Sequence, residues 1–118
     1  MRASKTNLVA GLILATLSCG QFAQAGERST VERVLARETD VYRMFFRAGE
    51  TVLIRLEGDG DTDLDLTVER DEVVIASDYG PTDHAFVMFT VPATGFYEIK
   101  VKNLGWIWNI YTLDILHR

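Results

Sequence analysis

Val52, Ile54 and Leu56 occupy every second position of one short run, and the same alternation returns at Leu64, Leu66, Val68, at Tyr97, Ile99, Val101 and at Tyr111, Leu113, Ile115. Successive side chains of a strand point to opposite faces, so a period of two with polar residues between is the mark of a half-buried strand; a helix would need a period near 3.6. The intervening residues fit: Asp63, Asp65, Thr67 and Glu69 share the face opposite Leu64, while Glu98, Lys100 and Lys102 oppose Tyr97. Residues 41–47 are rich in aromatic and β-branched types, and Met44, Phe45 and Phe46 read as core. Residues 85–91 are apolar at nearly every position, as expected of a central strand covered on both sides. Turn chemistry separates the runs: Ala48-Gly49-Glu50, Arg70-Asp71-Glu72, Gly80-Pro81, Pro92-Ala93-Thr94-Gly95 and Asn103-Leu104-Gly105. Seven or eight short strands spaced in this way predict an all-β antiparallel sandwich of jelly-roll type. No helix-period segment is long enough for a crossover, which excludes a parallel α/β sheet. Residues 26–40 form a polar entry in which Val31, Val34 and Leu35 suit a helical turn as well as a short strand.

The first 25 residues differ from the rest. Arg2 and Lys5 precede a dense apolar stretch over residues 8–17, too short for a bilayer span but suited to the apolar region of a signal peptide. Ala23-Gln24-Ala25 is a small-x-small cleavage site, so the expected boundary is a signal peptide over 1–25 and one domain over 26–118. A lipoprotein acylated at Cys19 is the competing reading, for which Thr16-Leu17-Ser18-Cys19 is a poor match. Removing 25 residues from 118 leaves 93, enough for one small domain. Cys19 is the only cysteine, so no disulfide can staple that domain and its apolar core must hold it. All 17 acidic residues follow residue 25 while two of the 12 basic ones precede it, giving the remainder a formal net charge of −7. Such a surface repels phosphate backbones and anionic headgroups, which argues against nucleic acid and against membrane insertion of the mature chain.

The order "DVYRMFFRAGETVLIRL", "GDGDTDLDLTV", "PATGFYEIKVKN" and "NIYTLDI" resembles the bacterial pre-peptidase C-terminal domain, over roughly residues 31–116. The resemblance implies a small noncatalytic β-sandwich related to collagenase collagen-binding modules, able to bind a partner or substrate and, in some members, calcium. Two features depart from that family's pattern. Residues 1–25 are too few to hold the catalytic domain expected ahead of such a module, and the acid-rich linker through which collagen-binding relatives hold calcium has no counterpart in residues 26–40, beyond Glu38 and Asp40.

Asp59, Asp61, Asp63 and Asp65 crowd alternate positions just where an apolar run begins. Two carboxylates ~4 Å apart repel by ~1 kcal/mol in water and ~4 kcal/mol at an effective dielectric of 20, so either a cation joins them or they splay into solvent. An EF-hand is excluded, because a loop starting at Asp59 would have Leu64 where glycine is needed and Arg70 where glutamate is needed. A nonstandard calcium site using Asp59, Asp61 and Asp63 and a solvated acidic loop both remain, with Asp65 on the solvent face.

Trp106 and Trp108 flank Ile107 between Gly105 and Asn109. In an extended stretch both indoles would point the same way and offer a platform for a sugar ring, a peptide or a protein; alternatively they close the open end of the core. Catalytic readings are poorly supplied. His84 lies beside Asp83, but only Ser29 and Ser77 follow residue 25, and no nucleophile elbow, zinc spacing or phosphate loop is present. His84 reads as a solvated loop residue and His117, next to the last position, as exposed. The sequence therefore predicts a non-enzyme: an exported binding module, periplasmic or extracellular, for a protein or polysaccharide through Trp106, Ile107 and Trp108. The alternative is a free-standing companion that inhibits, chaperones or docks onto an exported enzyme.

Overall fold

A computed structural model describes residues 26–118; the signal-peptide expectation, and Cys19 with it, lies outside the described residues. Eight antiparallel strands make up the domain: β1 (Gly26–Val34), β2 (Thr39–Phe46), β3 (Thr51–Glu57), β4 (Leu64–Arg70), β5 (Val73–Asp78), β6 (His84–Thr90), β7 (Gly95–Asn103) and β8 (Asn109–His117). They form two four-stranded sheets in the orders β1-β8-β3-β6 and β2-β7-β4-β5. The first strand thus pairs with the last, the second with the seventh, the third with the sixth and the fourth with the fifth, which is one long hairpin rolled up into a jelly roll, as the sequence predicts. Among the described residues no helix is long and apolar enough to cross a membrane.

The alternation drives the packing. Val52, Ile54, Leu56 of β3 and Leu113, Ile115 of β8 face Leu64, Leu66, Val68 of β4 and Tyr97, Ile99, Val101 of β7 across the buried interior. Each fully buried large aliphatic contributes ~1.5–3 kcal/mol through the water it leaves. Met44 and Phe46 are core as expected, whereas Phe45 is half-buried and sits edge-on to Phe96. The interior also holds a polar thread: the Tyr111 hydroxyl donates to Asp40 Oδ2 at 2.7 Å and meets the Tyr42 hydroxyl, all three residues being buried. Burial, with Tyr42 and Asp40 beside it, pushes the Tyr111 phenol far above its ordinary value. The β4–β5 hairpin closes through Asp71 (φ 50) and Glu72 (φ 67), both left-handed, as a two-residue type I′ turn requires.

Two expectations change, and one left open is decided. The entry segment, which suited a helical turn as well as a short strand, is a nine-residue strand, paired along its length with β8 from Gly26↔His117 to Val34↔Asn109. Residues 85–91 are not a central strand: β6 is the last strand of its sheet, and because the sandwich has only two layers, its outer residues Phe86 (51%) and Met88 (61%) stay exposed. His117 is not exposed. Its pairing with Gly26 and Val52 carries it inward, where its Nδ1 lies 3.0 Å from Glu50 Oε2 and its ring stands edge-on to Phe46.

Candidate functional site

At one end of the sandwich the β1–β2, β3–β4, β5–β6 and β7–β8 connections meet, and two buried asparagines hold them together. Asn103, the last residue of β7, accepts from Gly105 N at 2.8 Å and donates through Nδ2 to Ile107 O at 2.8 Å and Leu35 O at 3.3 Å. Its own N–H donates to Glu38 O at 2.9 Å, and the next amide, Leu104 N, donates to Asp63 O at 2.9 Å. The Arg37 guanidinium closes the set by donating to Leu104 O. The β7–β8 loop is therefore fastened to both of its neighbours through its backbone, which leaves its side chains free to face outward.

Those side chains are Trp106, Ile107 and Trp108, at 80%, 54% and 45% exposure. The chain bends through Gly105, Trp106 and Ile107 instead of running extended, so strand alternation does not set where the two indoles stand. Neither tryptophan seals the core. Each lies beneath a cation: Arg37 is 4.7 Å from the Trp106 ring centre and Arg33 is 5.6 Å from that of Trp108. An exposed pair of this kind is worth ~0.5–1 kcal/mol and narrows the orientations open to the ring.

Asn109, the first residue of β8, does the same for the acidic loop. Its Oδ1 accepts from Asp59 N at 3.2 Å, and its Nδ2 donates to Thr62 Oγ1 at 3.1 Å and to Asp83 Oδ2 at 3.0 Å. Asp83, buried, accepts also from Gly60 N at 2.5 Å, and its carbonyl accepts from Gly58 N at 2.9 Å. Gly58 has to be glycine here, since a Cβ would stand 2.2 Å from Asp83 Oδ2. Likewise a Cβ on Gly105 would stand 2.5 Å from Thr62 Cγ2, so the tryptophan loop is seated directly on the acidic one.

The predicted site residues are thus gathered at one end but used differently. Asp59 accepts from Asp61 N at 3.1 Å and from Ile110 N at 3.0 Å, so both its oxygens bind backbone amides. Asp61 is exposed, and the neighbouring Asp59 charge raises its pKa. Asp63 and Asp65 are half-buried, each with one buried oxygen that meets no donor; desolvation, then Asp63, raises the Asp65 pKa. Among the described residues no three His, Cys, Asp or Glu side chains converge as a metal cage. The exposed His84 lies 3.8 Å from Asp83 Oδ1, a carboxylate already bound to Gly60 and Asn109, and Ser29 donates instead to Asp114 at 2.6 Å. Sequence reasoning missed Asn103, Asn109, Asp83, Arg33 and Arg37. The two asparagines bracketing the tryptophans were the available signal, since a buried side-chain amide can serve donors and acceptors of two loops at once.

No protein-family model matches the chain, and no curated protein matches it. Among solved structures it is similar to PliG from Aeromonas hydrophila, a periplasmic inhibitor of g-type lysozyme, with a TM-score of 0.67 and 17% identity over 80% of this chain and 88% of that one. It is similar also to the pre-peptidase C-terminal domain of a collagenase from Bacillus anthracis, with a TM-score of 0.66 and 14% identity over 75% and 88%. PliG from Salmonella Typhimurium matches with a TM-score of 0.52 and 17% identity over 80% and 88%. At these identities the likeness is one of fold, and the resemblance to the pre-peptidase C-terminal domain stands at that level.

Proposed function

We propose that the loop end of this sandwich is a protein-docking surface, and that the domain is an exported, noncatalytic companion of an enzyme, with a g-type lysozyme the first partner to test. The observation that carries this reading is the 80% exposure of Trp106 on a loop whose backbone is bound by Asn103, Arg37 and Asp63. A large aromatic held in water on a fixed support gains on burial without an ordering cost at the moment of binding, which is the character of an interface hot spot. Beside it Asp61 is exposed, in a chain whose residues after 25 carry a net charge of −7. That combination favours a partner with a basic rim around an apolar recess. The fold likeness to lysozyme inhibitors supports the choice of the first partner. A polysaccharide is the less favoured ligand, because each indole has an arginine across one ring face and the loop is bent, so no flat pair of free rings is presented.

The test is titration of the immobilised protein with a g-type lysozyme and, in parallel, with soluble cell-wall glycan, for the natural chain and for Trp106→Ala. The expected result is lysozyme binding that falls at least ~30-fold in the variant, the fold-change of a hot spot worth ~2 kcal/mol, with the melting temperature unchanged. Equal affinity in both proteins, or a response to glycan alone, overturns it.

A further inference from the structure

We infer that the β5/β6 side of the sandwich is a contact surface for a second copy of this chain. β5 and β6 are each the last strand of their sheet, and they lie side by side, Asp78 Oδ2 at the end of β5 accepting from Phe86 N of β6 at 2.9 Å. Phe86, Met88, Val73 and Val74 are all exposed along this side. Between Val73 and Thr90 the only ionisable acids and bases besides Tyr79 are Asp78, Asp83 and His84. Asp78 is engaged with the amides of Phe86 and Gly80, and Asp83 is buried. The strip is therefore apolar and nearly without free charge.

The opposite side of the molecule shows that this is not the general rule for its edges. β1, the other outer strand of the same sheet, carries Glu27, Arg28, Glu32 and Arg33, and β2 carries Arg43, whose guanidinium lies 4.2 Å from the Phe96 ring centre. Charges of this kind are how sheets prevent edge-to-edge pairing. β6, His84-Ala85-Phe86-Val87-Met88-Phe89-Thr90, has no lysine, arginine, glutamate or proline. Ladder bonds of an antiparallel strand alternate in direction. Since Phe86 N turns away from β3 to reach Asp78, the N–H and C=O of Met88 and the N–H of Thr90 also turn toward the open edge.

Charge selects the occupant. Two copies that each carry −7 beyond residue 25 repel one another over most of their surfaces, and this uncharged strip is where they can approach. An antiparallel edge strand also complements itself about a twofold axis, the amide and carbonyl of Met88 in each copy serving those of the other while Phe86 and Met88 pack across the seam. The contact is independent of the tryptophan end.

The test is sedimentation velocity of the full protein across roughly 5–500 µM, for the natural chain and for Met88→Lys, Thr90→Pro, Met88→Leu, Glu27→Lys and Trp106→Ala, with circular dichroism to confirm that each is folded. The expected result is a concentration-dependent dimer whose dissociation constant rises at least tenfold in Met88→Lys and Thr90→Pro and is unchanged in Met88→Leu, Glu27→Lys and Trp106→Ala. A natural chain that stays monomeric throughout, dimers indifferent to Met88→Lys, or dimers lost with Trp106→Ala overturn the inference. Should Met88→Lys not fold, Thr90→Pro on the open edge decides alone.

Discussion

Replacing Asn109 by alanine tests whether the two loops are one cooperative structure. The side chain is fully buried and makes three hydrogen bonds, two with neutral partners (Asp59 N and Thr62 Oγ1) and one to the Asp83 carboxylate. Neutral bonds are worth ~1 kcal/mol each net and a bond to a charged group ~1.5–3, so complete loss costs ~3.5–5 kcal/mol. Water entering beside the half-buried Thr62 recovers part of it, which places the expected loss at about 3 kcal/mol and the fall in melting temperature at about 12–24 °C for a domain of this size. Circular dichroism melts and urea titration give the stability, and amide exchange at residues 58–63 gives the locality. Asn109→Asp keeps the shape but sets a second carboxylate against the buried Asp83. The new carboxyl then has a folded pKa raised above its unfolded value near ~3.9, so its stability is present below that pH and is lost as pH rises. The variant should be weaker at pH 7 than at pH 4, relative to the natural chain at each pH. A loss under ~1 kcal/mol in Asn109→Ala with unchanged exchange at 58–63, or an Asn109→Asp deficit indifferent to pH, refutes the reasoning.

Gly105→Ala should cost ~1–3 kcal/mol by driving a Cβ to 2.5 Å from Thr62 Cγ2 and 2.6 Å from Thr62 Cβ, and the Gly105→Ala/Thr62→Gly pair, which removes both atoms, should recover part of it; strict additivity in urea unfolding would show that the loops are not in contact. The Tyr111 phenol, held far above its ordinary 10.0 in the fold, remains neutral where the unfolded chain ionises, so its contribution is complete below pH 10 and is lost as pH rises beyond it. Tyr111→Phe should accordingly begin ~1–3 kcal/mol less stable at pH 8, since it leaves Asp40 without that donor, yet lose less further stability between pH 10 and 12; parallel urea midpoints for the two proteins at those pH values check it.

The strands that the sequence made legible are those whose inward residues are all apolar, such as Val52, Ile54 and Leu56, because period two then coincides with burial. β1 stayed ambiguous between strand and helical turn because its inward set is Arg28, Thr30, Glu32 and Val34, and only Val34 is buried; the segment is a strand through its ladder with β8, a pairing that no local pattern encodes. β6 misled for the converse reason, since an apolar outer face ordinarily means a covering layer and here none is present. The two loops themselves were visible in Gly58, Gly60 and Gly105. What binds them was not: Asn109 reaches Asp59 across 50 residues and Asp83 across 26, distances over which residue spacing says nothing.

The roll-up of the chain also fixes how the domain is presented. β1 enters at Gly26 and β8 leaves at His117, paired residues at the pole away from the tryptophans, on a body whose long dimension is 45 Å. Whatever leads into Gly26 or follows Arg118 departs from that far pole. A tether there, whether to a surface, to another domain or to a laboratory resin, holds the aromatic tip outermost and unobstructed, so attachment directly before Gly26 and attachment directly after Arg118 should be interchangeable in reach and orientation.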